Sequence, residues 1–262
     1  MSTLAHDEYN TNTIAPLGGF KTVLEAMSAH PQATRVQWSG CGALSRLCMN
    51  DDNKANIVSL SGIKKGLGAM RAHPKETEVQ EDGGGALQSL SANKDNMAKT
   101  APLGGIETVL DAMKMHPKAT GMQTWGCTVL STLAHYIHNM KTITSLGGIN
   151  TVLDAMSAHP HMTRVQTWGC RLLSTLARDD HNRKTIASLG GIKAILDAMK
   201  AHPQTTGVQT GGCTVWSTLA HDNHNMKTIA SLGDIKTHGN AGAGVWLLCL
   251  SGVWPGTRTA TG

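Results

Sequence analysis

Aromatic residues make up only 3% of this 262-residue chain, with two Tyr and one Phe. That is a poor supply for a β-sandwich, whose half-buried strands draw on aromatic and β-branched residues. The 40% of hydrophobic residues must therefore build a core from Leu, Val, Ile, Met and Ala, which suits helices. Long apolar runs are lacking too. None reaches the roughly 18 residues of a membrane helix, and none near the N-terminus resembles a signal peptide. Nor is there a Lys/Arg run of the kind that marks nucleic-acid contact; the formal net charge of +5 is spread along the chain. The expectation is a chain with no membrane and no nucleic-acid partner, in the cytoplasm or the nucleus.

What the chain has is a period. His-Pro occurs at His30-Pro31, His73-Pro74, His116-Pro117, His159-Pro160 and His202-Pro203, each 43 residues after the last. The Leu-Gly-Gly corner keeps the same step at Leu17, Leu60, Leu103, Leu146, Leu189 and Leu232, with Ser61 and Asp234 as the only breaks. Such a period means a solenoid, which supplies surface more often than chemistry.

Residues 142–184 serve as one copy. A short apolar segment ends at Gly147-Gly148, where Gly can take positive φ without strain. Ile149, Val152, Leu153 and Met156 then follow the i, i+3, i+4, i+7 spacing of one helix face. That helix stops at His159-Pro160, because Pro disfavours helical backbone in the residue before it. A third helix starts near Thr163 as N-cap and carries Val165, Trp168, Gly169, Leu172, Leu173 and Leu176 on its apolar period, which assigns Trp168 and its counterpart Trp125 to the core. Gly169 permits close helix approach at some cost in propensity. Each copy is thus one short helix and two longer ones.

The Asn of the inter-repeat turn (Asn139, Asn182, Asn225), the apolar-Gly-Gly-Ile corner and the "VQ…GC…L…LA" third helix resemble the armadillo repeat. The phrasing "LDAM-AHP…VQTWGC…LSTLA" looks like the armadillo regions of leucine-rich-repeat kinases and of protist and algal repeat proteins. The resemblance covers residues 1 to about 236. It implies an all-α fold, a right-handed armadillo-like α-solenoid of about five 43-residue, three-helix repeats. The expected divisions are 1–12, the tail of a truncated repeat; 13–55, 56–98, 99–141, 142–184 and 185–227 as full copies; 228–237 as a partial one; and 238–262 as a divergent, poorly ordered tail.

Two regions break the pattern. In 56–98, Gly66, Gly68 and Gly83-Gly84-Gly85 fall inside helices at about 1 kcal/mol each relative to Ala, so the softest point is expected between 64 and 92. In the tail, Gly244 to Leu248 aligns only after deleting residues, which suggests a fragment, a decayed copy or a degenerate cap.

Chemistry is expected to be absent. Cys41, Cys127, Cys170 and Cys213 share one repeat position, where stacked helices would hold them roughly 8–10 Å apart, beyond the roughly 7 Å of a disulfide. They read as buried free thiols. His135/His138 and His221/His224 form H-x-x-H pairs, but a zinc site needs three or four converging ligands, so no metal is expected. The recurring His of His-Pro reads as a helix-end residue that suits the dipole. The Gly-Gly corners lack phosphate-loop context. Asp111, Asp154 and Asp197 recur as ordinary surface pairs, with Lys114 and Lys200 three residues on. No catalytic residue, metal or cofactor is called for.

In armadillo proteins the third helices line a concave groove that takes an extended peptide, and importin-alpha places a Trp and an Asn there in each repeat. Those positions here hold Gly42/Arg46, Gly85/Ser89, Thr128/Thr132, Arg171/Thr175 and Thr214/Thr218, so no Trp-Asn ladder exists. The resemblance implies a monomeric, non-catalytic scaffold whose groove is lined by Arg46, Ser89, Thr128, Thr132, Arg171, Thr175, Arg178, Thr214 and Thr218. The Arg spots give a mild preference for an acidic or phosphorylated peptide. The alternatives are a structural spacer, a remnant, or the arm of a larger protein such as a kinase.

Overall fold

The computed structural model describes residues 18–48, 51–59, 61–91 and 94–232. The segments 1–12 and 238–262 lie outside these. Every element among the described residues is a helix. The chain divides into two compact units, Met1–Leu146 and Gly147–Gly262.

The first unit contains α1 (Gly19–Ala29), α2 (Thr34–Leu47), α3 (Asp51–Ser59), α4 (Gly62–Ala72), α5 (Thr77–Leu90), α6 (Lys94–Thr100), α7 (Gly105–Met115), α8 (Thr120–Leu133) and α9 (Ile137–Ser145). The second contains α10 (Gly148–Ala158), α11 (Thr163–Leu176), α12 (Asp180–Ser188), α13 (Gly191–Ala201), α14 (Thr206–Leu219) and α15 (Asn223–Leu232). The expected alternation of one short and two longer helices is what forms. The 14-residue helices stack on one another, α2 on α5 on α8 in the first unit and α11 on α14 in the second. The 11-residue helices form a second layer, α1 with α4 with α7 and α10 with α13. Val165, Leu172, Leu173 and Leu176 are fully buried, as their spacing requires.

Gly169 does admit a close approach. A methyl group there would lie 2.6 Å from Met156 Sδ and 2.7 Å from its Cγ, so the thioether of α10 occupies the space above the α11 backbone. The Gly run of α5 has a similar use. Gly83 receives Met70, while Gly84 and Gly85 lie beneath Trp125 of α8. The α5 backbone stays helical from Thr77 to Leu90, and the space of the absent side chains is taken by Met70 at Gly83, by Met122 and the Trp125 Cβ at Gly84, and by Ser45 and the Trp125 ring at Gly85.

Each corner splits its two glycines between two tasks. Gly190 has φ 80°, in the left-handed region, with open space where a side chain would point. Gly191 is ordinary helix, but a methyl on it would meet the Ile186 carbonyl oxygen at 2.7 Å. Ser61 is the one non-glycine in the left-handed region among the described residues, at φ 68°. L-residues there cost roughly 1–2 kcal/mol. Ser61→Gly should therefore raise stability by about 0.5–1 kcal/mol, after the extra unfolded-state freedom of Gly is deducted. A urea midpoint that stays put or falls would show that Ser61 is not strained.

Three polar clasps recur, and the sequence pattern shows none of them directly. Gln37, Gln80, Gln123, Gln166 and Gln209 each donate two hydrogen bonds from Nε2, to the carbonyls of the Met ten residues back and the His seven back. These are last-turn and cap carbonyls, which no intrahelical N–H reaches. Asn96, Asn139 and Asn182 each donate to the Leu carbonyl six residues back and so hold the inter-repeat turn.

The third clasp corrects two sequence expectations. His73, His116 and His202 bond through Nε2 to the carbonyl oxygens of Pro31, Pro74 and Pro160, and through Nδ1 to the hydroxyls of Thr34, Thr77 and Thr163. Thr163 is the first residue of α11 rather than its N-cap, which is Met162. Its hydroxyl reaches across to the next copy instead of back to its own helix. The periodic His is therefore an inter-repeat staple as well as a helix-end residue, with its Nε2–H donating to the Pro carbonyl.

The surface pairing also differs in detail from expectation. Asp197 pairs with Lys193 and Asp154 accepts from Asn150, both one turn back. Lys114 donates instead to the Leu146 carbonyl, and Arg71 donates to the Leu103 and Gly104 carbonyls, so two cations secure corners 32 and 33 residues ahead.

Candidate partner-binding face

The nine residues expected to line a groove all lie on or at the ends of the 14-residue helices. In the first unit, Arg46 is half-buried near the end of α2 and donates to the Gly42 carbonyl. Its guanidinium lies beside Asp82 of α5, whose carboxylate also accepts from the Trp38 side chain. Burial pushes the Asp82 carboxyl above its usual range, with Arg46 and Trp38 opposing and Glu81 assisting. Arg46 thus faces a carboxylate of its own chain and is not an open basic spot. Ser89 is half-buried against Gln88. Thr132 is half-buried and Thr128 is buried, 2% exposed. Both hydroxyls donate to carbonyls one turn back, which lets Thr128 be buried without an orphaned hydroxyl.

In the second unit, Arg171 and Arg178 are exposed, as is Thr214, while Thr218 is half-buried. Thr175 is buried, its hydroxyl donated to the Arg171 carbonyl. Thr128 and Thr175 therefore do not present side chains on an open face. The sequence places them there because helical period alone cannot tell which flank a neighbouring helix covers.

Trp168 departs from expectation in the other direction. It is half-buried rather than in the core, as is Trp125, and the Arg171 guanidinium sits 5.1 Å from the Trp168 ring centroid. The inward position of that turn belongs to Gly169 and Met156. Cation–π contact at this range orders an exposed Arg at a gain of about 0.5–1 kcal/mol. Sequence reasoning also passes over Arg164. It is exposed one heptad before Arg171, on the same face of α11. Its signal is the heptad spacing Arg164, Arg171, Arg178, hidden because only α11 carries all three. Neither α11 nor α14 contains an Asp or Glu.

The rest of the surface offers little chemistry. An open cleft of about 400 Å³ lies between α10 and α13, lined by Leu153, Asp154, Pro160, Lys193, Ala194 and Asp197 among others. Among the described residues no three His, Cys, Asp or Glu side chains converge on a metal-sized space, and no helix is long and apolar enough to cross a membrane. None of Cys41, Cys48, Cys127, Cys170 and Cys213 is in a disulfide; the first four are buried, while Cys213, expected to be buried too, is half-buried. Burial pushes Cys41, Cys48 and Cys170 up to about 12. Thiolate is the reactive form, so these three should resist iodoacetamide at pH 8 until urea unfolds the chain. Peptide mapping checks this, and rapid native labelling of Cys170 would contradict its burial.

No curated protein matches the chain in sequence. Among solved structures it resembles an engineered protein, with a TM-score of 0.73 at 17% identity over 94% of this chain and 60% of that one. It also resembles a chain from a structure of the cadherin–beta-catenin interaction, with a TM-score of 0.51 at 16% identity over 95% of this chain and 61% of that one. The chain spans about 60% of the length of these structures. The model of the GAC ARM domain family matches residues 1–243, and with the repeating three-helix pattern this shows that the chain belongs to the armadillo-repeat proteins of that family.

Proposed function

We propose that the chain is a non-catalytic scaffold that captures a protein partner on the exposed face of its 14-residue helices, with a preference for acidic partners. Armadillo-repeat domains are in general protein-interaction scaffolds, and the beta-catenin structure it resembles concerns an interaction with cadherin. The observation that carries the acidic preference is on α11. Arg171 is exposed, is held over Trp168, and has no carboxylate on its own helix or on α14. A pre-ordered guanidinium loses less freedom when it binds a carboxylate or phosphate by forked hydrogen bonds.

A display library of random 16-residue peptides tests this against the full chain. The expected result is enrichment of Asp/Glu-rich sequences that is lost in the double variant R171E/R178E. Both positions are exposed, so helical content should be unchanged. Enrichment that is neutral or basic, or equal in the double variant, would place the contact elsewhere.

A further inference from the structure

We infer that the cleft between α10 and α13 is a receptor for an arginine side chain of a protein partner. It lies on the layer of 11-residue helices and is separate from the acidic preference of the 14-residue helices. The chain itself holds the precedent. Arg71, near the end of α4, extends to the corner before α7. There its Nε donates to Thr108 Oγ1 at 2.9 Å, and one terminal nitrogen donates to the Leu103 and Gly104 carbonyls at 2.5 and 3.0 Å. Lys114 of α7 holds the same repeat position and reaches one carbonyl, that of Leu146, at 3.3 Å. In α10 that position is Ser157, and in α13 Ala194 stands where α7 has Thr108. Both changes remove side-chain length from one spot, and the open cleft of about 400 Å³ is what results. Ser157, Leu189, Gly190 and Ala194 all line it.

The corner keeps its acceptors. Gly104 and Gly190 have φ 76° and 80°, and their carbonyls take the Thr108 and Ala194 N–H groups, each at 3.1 Å. A carbonyl has a second lone pair, the one that Arg71 uses at Gly104. A methyl on Gly104 would run into the Arg71 guanidinium, whereas nothing lies within 4 Å of one on Gly190. The place that a guanidinium fills at the first corner is therefore open at the second. Its charge suits the same group. Leu189 is the C-cap of α12, so its carbonyl lies at the negative end of that helix dipole. Lys193 is held by Asp197 at 2.6 Å, and these two charges offset each other. Asp154 accepts from the neutral Asn150 amide at 2.9 Å and so adds a carboxylate that no cation of the cleft compensates. Arginine is favoured over lysine because its planar fork can address adjacent carbonyls and a carboxylate together, as Arg71 does with two carbonyls and a hydroxyl. Its stem would lie on Leu153 and Pro160. Leu189 is 45% exposed, and Asp154 and Ser157 are exposed, so the mouth is wide enough for the partner's backbone to stay outside.

Backbone amide NMR shifts of the full chain read the outcome. The probe is a blocked Gly-Gly-Arg-Gly-Gly peptide, compared with its Lys and citrulline counterparts and with free L-arginine. The Arg probe should give saturable shifts at the Gly190, Gly191 and Lys193 amides, with a Kd on the order of millimolar, as a single side chain allows. The Lys probe should bind about threefold or more weakly than that, and the neutral citrulline probe should not saturate. S157R should abolish the shifts, because its own guanidinium then takes the cleft. D154N should weaken binding about twofold to fivefold, and its exposed position keeps the test valid should S157R disturb the fold. R71S should create new Arg-dependent shifts at Gly104 and Gly105, where the unaltered chain shows none. Equal binding of the Arg and citrulline probes, or shifts at Gly190 that persist in both S157R and D154N, overturns the site. Tighter binding of free L-arginine than of the peptide overturns the protein partner, because the cleft would then select a small molecule.

Discussion

Gln166→Glu should lower the stability of the second unit by about 3–5 kcal/mol at pH 7. Gln166 is 2% exposed, and its Nε2 donates to the Met156 carbonyl at 2.8 Å and the His159 carbonyl at 2.9 Å. Glutamate has the same shape but no donor when ionised. It would aim a buried negative oxygen at two carbonyl oxygens and leave the Met156 carbonyl without the Gln donor, while the His159 carbonyl keeps only the Met162 N–H. Gln166→Leu removes the donor without adding charge and should cost less, about 2 kcal/mol. The comparison separates lost hydrogen bonds from buried charge. Burial raises the pKa of the introduced carboxyl, and its protonated form regains one O–H donor. The Glu variant should therefore recover stability as pH falls below about 5 and lose it as pH rises through the raised folded pKa. Urea midpoints at pH 4.5 and pH 7 measure this. Gln209 makes the same two bonds but is only half-buried, so the same change there should cost clearly less. Equal losses at the two positions would mean that burial does not set the penalty.

Gly191→Ala should cost about 2–4 kcal/mol, whereas Gly190→Ala should cost about 1–2. The neighbours look interchangeable in sequence. At Gly190 the only penalty is left-handed backbone, since nothing lies within 4 Å of the added methyl. At Gly191 the backbone is ordinary, but the methyl would lie 2.5 Å from Ile186 Cγ2 and 2.7 Å from the Ile186 oxygen. A flexible side-chain tip could move aside cheaply; a carbonyl in the last turn of α12 cannot. Relief would require α13 to swing away from α12 and lose burial at Ile192 and Ile186. Thermal unfolding of the two alanine variants side by side gives the ranking, and a larger loss at Gly190 would reverse this assignment of roles.

Only part of these contrasts is legible in the sequence. The 43-residue step and the i, i+3, i+4, i+7 spacing expose the order of short and long helices and the burial of Val165, Leu172, Leu173 and Leu176, because both are local or strictly periodic, but they put Trp125 and Trp168 too deep. They also locate the Gly-Gly corner, the close approach at Gly169 and the buried thiols Cys41, Cys127 and Cys170, though not the half-buried Cys213. They do not expose what a polar side chain bonds to, since its partner is fixed by how copies stack. The Gln of "VQ" reads as pattern and is a clasp. The His of His-Pro reads as a partner for a helix dipole, yet the His202 ring reaches a Thr 39 residues and a Pro 42 residues earlier. Among the groove residues, Arg171, Arg178 and Thr214 are exposed as expected. Thr128 and Thr175 are not, because lateral cover by a neighbouring helix has no signature in one helix's period. Arg164 escapes a comparison across repeats, which runs at step 43, because the arginine stripe runs along one helix, at step 7.

The staples also govern how such a chain can change length. Thr34 bonds to His73 and Thr77 to His116, while His73 bonds to Pro31 and His116 to Pro74. Each connection joins one copy to the next at a constant offset. Removing or duplicating a whole 43-residue module inside the array therefore returns every Thr and Pro to an equivalent His. A shorter insertion within a helix rotates the residues beyond it by about 100° each and separates the pairs on either side. Gene-level expansion or contraction of this chain is structurally silent only in steps of one full module.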